Sequence, residues 1–142
     1  MTARVLGISG SPREDGNTDI AVKMALDLIK GKADVSTEFV RVADFNIKHC
    51  QGCRQCMVLG HCAITDDDYP LLRDKLLSAD VIIVGAPVYW SGPPGVMKDF
   101  IDRTHGFYLD RTRLSGKKVV LISVATEGGF EPHEKILSWM AA

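Results

Sequence analysis

The sequence predicts an α/β protein built on a doubly wound parallel sheet, and three observations carry that expectation. Two apolar runs, residues 81–84 and 119–124, do not alternate, so both of their faces read as covered, as in the interior of a parallel sheet. Between the strand-like runs the apolar residues change to helical spacing, so strands and helices take turns along the chain. No internal repeat or low-complexity tract breaks that alternation.

The elements follow in order. Residues 4–9 form a short apolar strand ended by Gly10, and from Thr18 the apolar positions Ala21, Met24, Ala25, Leu28 and Ile29 predict a helix with its C-cap at Gly31. Residues 36–42, with Phe39, Val40 and Val42, predict a second strand. The pattern is lost over residues 43–65. Asp66, Asp67 and Asp68 suit the positive end of a helix dipole and open a helix with Leu71, Leu72, Leu76 and Leu77 on one face. Residues 81–87 are the third strand. Pro93 and Pro94 suit a helix start, and Val96, Met97, Phe100 and Ile101 give that helix a buried stripe. Residues 119–124 are the fourth strand and 131–140 a last helix. On the third of these helices Lys98, Asp102 and Arg103 read as ion pairing on an exposed or subunit-facing side.

Length and charge bound the function. With 142 residues, 46% of them hydrophobic, the chain is long enough for one core, so residues 1–142 are read as a single domain with a cysteine-bearing loop at 43–65. Lys plus Arg number 17 against 18 for Asp plus Glu, with no basic stripe, so nucleic acid is not an expected partner. The longest apolar runs are far too short to span a bilayer, and the chain opens on a strand rather than a signal peptide, so no membrane association and a cytoplasmic location are expected. Cys50, Cys53, Cys56 and Cys62 lie within thirteen residues, which is not how a disulfide framework spreads its crosslinks. They read as one site.

Ligands of open α/β sheets bind beyond the carboxyl ends of the strands, so the segments after strands one, three and four belong together. After strand one, residues 9–18 offer the hydroxyls of Ser9, Ser11 and Thr18, the amide of Asn17, the guanidinium of Arg13 and two glycines at a helix entrance, which suits a terminal monophosphate. Neither G-x-G-x-x-G nor G-x-x-x-x-G-K-[ST] is present. After strand three, Pro87, Val88, Tyr89, Trp90, Ser91 and Gly92 form a turn that offers backbone groups and flat apolar surface to a planar heterocycle. After strand four, Thr126, Glu127 and Gly128 bring small residues to a strand end. Phosphate loop, aromatic wall and glycine floor on one sheet edge describe a pocket for flavin mononucleotide, FMN. The cysteine spacing C-x2-C-x2-C-x5-C, read on its own chemistry, leaves open an iron-sulfur cluster, a tetrahedral zinc ion or no metal at all. No side chain shows the spacing of a Ser/His/Asp triad or a carboxylate pair, so no catalytic acid, base or nucleophile is expected.

The motifs at 10–18 and 87–103 resemble those of the flavodoxin-like NAD(P)H-dependent FMN reductases, and the compact cysteine motif narrows the resemblance to the iron-sulfur flavoproteins within them. It covers residues 5–129. The resemblance implies a flavodoxin-like sheet of order 2-1-3-4 in which the usual fifth strand is missing, since only seventeen residues follow Ala125. It implies FMN phosphate on Ser9, Ser11, Arg13, Asn17 and Thr18, and the ring against residues 87–92 and 126–128. It implies a 4Fe-4S cluster on Cys50, Cys53, Cys56 and Cys62. The implied function is electron transfer between a two-electron flavin and one-electron partners, with NAD(P)H, a ferredoxin or a quinone-like molecule as small redox partner. The alternative is a cluster-free NAD(P)H-dependent FMN or quinone reductase. A third reading keeps the fold but makes it a non-enzymatic domain with structural zinc. Strands three and four would lack cover on the face of the first helix, which predicts a homodimer or homotetramer, with exchange of the 131–142 helix as one way to build it.

Overall fold

The structure is a computed structural model that describes residues 2–126 and 130–138. Four strands, β1 (Ala3–Ser9), β2 (Val35–Arg41), β3 (Val81–Pro87) and β4 (Lys118–Val124), pair in parallel in the order β2-β1-β3-β4 that the sequence predicts. Ser9 lies opposite both Arg41 and Gly85, and Pro87 opposite Val124, so the carboxyl ends of all four strands reach one edge. The helices are α1 (Asn17–Lys30), α2 (Cys56–Leu59), α3 (Tyr69–Ser78), α4 (Gly95–Arg103) and α5 (Phe130–Ser138).

Right-handed crossovers place α1 on one face and α3, α4 and α5 on the other. On the first face Val5 and Ile83 of the sheet bury against Val22 and Leu26 of α1, with Ile122 packed beside them. Gly85 is what lets α1 come so close: a Cβ there would stand 2.5 Å from Val22 Cγ2. On the second face Leu6, Ile8, Ile82 and Val84 meet Tyr69, Leu72 and Leu76 of α3, Met97 and Phe100 of α4, and Leu137 of α5. Each such side chain contributes roughly 1.5–3 kcal/mol by leaving water.

Several expectations are corrected. The buried arc of α1 runs through Thr18, Asp19, Val22 and Leu26, while Met24 and Leu28 are 59% and 62% exposed. The approach over Gly85 selects that arc. Strand three does not lack cover over α1, because Ile83 is fully buried there. Residues 119–124 are not buried on both faces: β4 is the outer strand of the four, and Val120 is 45% exposed. Leu71 is exposed although Leu72 and Leu76 are buried. The three aspartates do more than face a helix dipole. Asp68 Oδ2 accepts from the Asn46 N–H at 2.7 Å, Asp67 Oδ2 from the Lys48 N–H at 2.8 Å, and Asp66 Oδ2 from Lys48 Nζ at 2.6 Å, so they clasp the chain that leads into the cysteines. Lys98 and Asp102 form the exposed pair expected on α4, but Arg103 is buried and faces the cysteine segment. Helix α2 has no counterpart in the sequence reading. Among the described residues no helix is long and apolar enough to cross a membrane.

Candidate functional site

The loop after β1 is rooted in the core. The Ser9 hydroxyl donates to Asp19 Oδ1, and Asp19 Oδ2 accepts from the Asp15 N–H and from Arg41 Nε, both at 2.9 Å. Arg41 also donates to Asp44 at 3.0 Å and to the Ser11 carbonyl at 3.3 Å, which ties the end of β2 to the loop. Burial works against the charge on Arg41, yet the adjacent Asp19 carboxylate leaves its pKa above the ordinary value. Ser11 Oγ accepts from the Arg13 N–H at 3.1 Å, and the Gly10 N–H donates to Gly85 at 2.8 Å. Of the five expected phosphate ligands, Ser9, Ser11 and Thr18 are buried in the loop wall, whereas Arg13 and Asn17 stand in solvent at its mouth.

Helix α1 starts after Gly16 with no side-chain cap. Its first-turn N–H groups therefore have no side-chain acceptor at the carboxyl edge of the sheet, which is the arrangement that suits an anion. Asp19 would oppose an anion there, but Arg41 neutralises it.

Beside this loop the chain after β3 makes a two-residue hairpin turn. The Tyr89 N–H donates to Gly92 O at 2.7 Å and the Gly92 N–H returns to Tyr89 O at 3.1 Å. Trp90 and Ser91 sit in the left-handed region at φ 51° and 65°, as a type I′ turn requires. Tyr89 is exposed and Trp90 is 102% exposed, so neither closes the core. Pro87 and Val88 are half-buried, and Val88 N–H bonds to Val124 O at 2.8 Å. Helix α5 supports this region through His133, whose Nδ1 lies 3.0 Å from Ser123 Oγ. Thr126 is exposed at the end of β4, and Glu127 and Gly128 lie outside the described residues.

The four cysteines line one cavity of about 550 Å³, together with Arg54, Arg103 and His105. Left-handed backbone at Gly52 (φ 66°) and Arg54 (φ 59°) curls the chain between Cys50 and Cys56. Cys50 and Cys53 are exposed, and Cys56 and Cys62 are half-buried. Cys56 Sγ lies 3.3 Å from His105 Nδ1, and Cys62 Sγ accepts from Arg103 Nε at 2.9 Å. Among the described residues no three His, Cys, Asp or Glu side chains stand close enough to hold a metal ion. In kind, however, the donor set fits an iron-sulfur cluster: four soft thiols face a shared space, and basic groups line it to offset an anionic centre. Asp67 and Arg103 are both fully buried and paired at 2.6 Å. Burial pushes the Asp67 carboxyl up, but hydrogen bonds from Arg103 and from the Lys48 and Tyr69 N–H groups outweigh it and hold the group below the usual carboxylate range.

Asp19, Arg41, Asp67, Arg103 and His105 are the site residues that sequence reasoning missed. Arg103 had a usable signal, since it follows Phe100 by three residues and so flanks the buried stripe of α4. The Asp19–Arg41 pair had none, because it joins a helix to a strand 22 positions away.

Residues 3–142 match the family model described as NADPH-dependent FMN reductase. An iron-sulfur flavoprotein of Methanocaldococcus jannaschii is 39% identical over 132 residues, which cover 90% of this chain and 66% of that protein. An iron-sulfur flavoprotein of Methanosarcina thermophila is 32% identical over 140 residues, covering 96% of this chain and 72% of that one. The chain thus spans about two thirds of the length of these curated relatives. Among solved structures, RosB with a bound 8-demethyl-8-formylriboflavin-5′-phosphate intermediate superposes with a TM-score of 0.79 at 18% identity, over 99% of this chain and 59% of that one, a likeness of fold.

Proposed function

The chain belongs to the NADPH-dependent FMN reductase family, among its iron-sulfur flavoproteins, and from that premise we propose that it is a flavin-dependent oxidoreductase holding FMN and a 4Fe-4S cluster. The observation that carries the FMN reading is the uncapped start of α1 above a neutralised Asp19–Arg41 pair. On this reading the phosphate rests on the backbone of residues 9–18, with Ser11, Asn17 and Thr18 at hand and Arg13 closing the mouth. Ser9, whose hydroxyl is given to Asp19, keeps the loop in shape. Residues 87–92 and 126–128 flank the flavin ring, and Cys50, Cys53, Cys56 and Cys62 ligate the cluster. When bound, the flavin exchanges hydride or paired electrons and the cluster passes single electrons. The residues of this chain position both groups; none acts as an acid, base or nucleophile.

NAD(P)H as donor, a ferredoxin or quinone-like acceptor and a cytoplasmic setting, where thiols stay reduced, complete the proposal. The exposed outer strand β4 supports a homodimer or homotetramer. A cluster-free FMN or quinone reductase is the second reading, favoured by the absence of a ready-made metal-holding group among the described residues.

Anaerobic reconstitution followed by iron, sulfide and visible-absorption measurements separates the two. The first reading expects about four iron and four sulfide per chain, with a broad shoulder under the flavin bands that is lost on Cys53→Ala. Flavin bands with no iron establish the second. Arg13→Ala is expected to weaken FMN by about 1.5–3 kcal/mol in a direct titration, through loss of a charge-assisted contact. FAD binding equal to FMN would count against the monophosphate site.

A further inference from the structure

Arg103 projects from the last turn of α4 into the cysteine segment and is 1% exposed. All five of its N–H groups are used. Nε donates to Cys62 Sγ at 2.9 Å; Nη1 donates to Lys48 O at 2.9 Å and Asp67 Oδ2 at 2.6 Å; Nη2 donates to Ile64 O at 2.8 Å and Asp67 Oδ1 at 3.2 Å. The guanidinium also lies 4.6 Å from the Tyr69 ring centroid. One side chain on a packed helix thus grips the cysteine segment before its first thiol, at its last thiol and just beyond.

A buried guanidinium needs a counter-charge, and Asp67 supplies it with two hydrogen bonds. That pairing accounts for only part of the fork. The Nε–H goes to a sulfur, a weaker acceptor than oxygen when neutral and a good one when it carries charge, as a ligating thiolate does. Cys50 and Cys53 are exposed, and the imidazole beside Cys56 is itself exposed, so Cys62 is the thiol aimed by a buried donor.

We propose that Arg103 is the positioning residue of the cysteine segment, holding Cys62 as the fixed corner on which a thiolate-ligated cluster assembles. The inference rests on the cluster reading above. Its N–H···S bond withdraws charge from the ligating sulfur and so favours the reduced, more negative cluster, which raises the reduction potential. Cys50, Cys53 and Cys56, which no buried donor holds, would supply the remaining ligands.

The test uses Arg103→Gln and Arg103→Lys in the full chain, with two readouts. In metal-free protein, at a pH where all four thiols are ionised, per-residue alkylation by iodoacetamide should be roughly tenfold slower at Cys62 than at Cys50, since Cys62 is half-buried and its sulfur is engaged by the Arg103 Nε–H. Arg103→Gln should erase that difference at Cys62 while leaving Cys50 and Cys53 unchanged. In reconstituted protein the cluster potential of Arg103→Gln should fall by at least 59 mV, a tenfold change in a one-electron equilibrium. Arg103→Lys keeps the charge but not the fork, so it should fall short of wild type in both readouts. It also carries the test if the Gln variant does not fold. A wild-type Cys62 that alkylates as fast as Cys50 overturns the inference without any variant. So does a rise spread evenly over all four thiols, or a loaded Gln variant with unshifted potential. If wild-type protein takes up neither iron nor sulfide, the cluster reading fails instead, and the alkylation pattern alone decides the role of Arg103.

Discussion

The loop at residues 9–18 and the cysteine segment at 43–65 are organised in opposite ways. Each is held by a buried Arg–Asp pair, Arg41–Asp19 in the first and Arg103–Asp67 in the second. In the loop the pair sits between core walls, with Ser9, Ser11 and Thr18 buried around it. Its shape is therefore complete before any ligand arrives. In the segment the pair holds the two ends, at Lys48 and at Cys62 and Ile64, while Cys50 and Cys53 between them stand in solvent and the sole α-helix, α2, has four residues. An anion would meet a loop already in shape, whereas a cluster would meet thiols that do not yet stand together.

The largest expected effect comes from Asp19→Ala, which takes away the buried partner of Arg41 and leaves it only the exposed Asp44. Breaking such a pair costs about 3–5 kcal/mol, to be read as a lower urea midpoint together with weaker FMN binding. Cys62 alkylation should not change; a rise would mean that the two regions are not independent. Gly106→Ala attacks the other region. Its new Cβ would lie 2.9 Å from His61 Cα and 3.1 Å from the Cys62 N, both backbone atoms that cannot swing aside. Overpacking of this kind costs about 1–3 kcal/mol. Iron and sulfide uptake should fall while FMN affinity holds, and a parallel loss of FMN would break the comparison.

Acid provides the smallest effect. Because the folded Asp67 pKa lies below its unfolded value, the tie to Arg103 is fully present above about pH 3.9 and is lost as pH falls through the lower folded value. Amide exchange across 43–65 in metal-free protein should speed up over that window. Asp67→Asn should lack the step.

The sheet and its strand order were legible because buried parallel strands spell themselves out, as 81–84 does in four consecutive apolar residues. The loop at 9–18 was legible as a strand-to-helix connection because small and hydroxyl-bearing residues cluster between an apolar run and a helical pattern. Contacts made across the fold were not. Met24 and Leu28 share the helical period with the buried arc of α1, and only the glycine opposite decides which arc faces in. Arg103 was read with Lys98 and Asp102 as ion pairing on an exposed or subunit-facing side, and Lys98 and Asp102, four residues apart, do form a surface pair while Arg103 turns inward. The carboxylates at 66–68 look like a helix start in sequence, but their other partners, at 46–48, come from a distant loop.

The hairpin turn at Tyr89–Gly92 has a consequence for anyone redesigning this chain. Left-handed backbone at Trp90 and Ser91 costs about 1–3 kcal/mol per residue, and the pair that relieves it in such turns is Asn-Gly. Writing Asn-Gly at 90–91 should therefore make a more heat-tolerant protein. The same exchange would delete a fully exposed indole at the sheet edge and, with it, a built-in fluorescent reporter of whatever docks there.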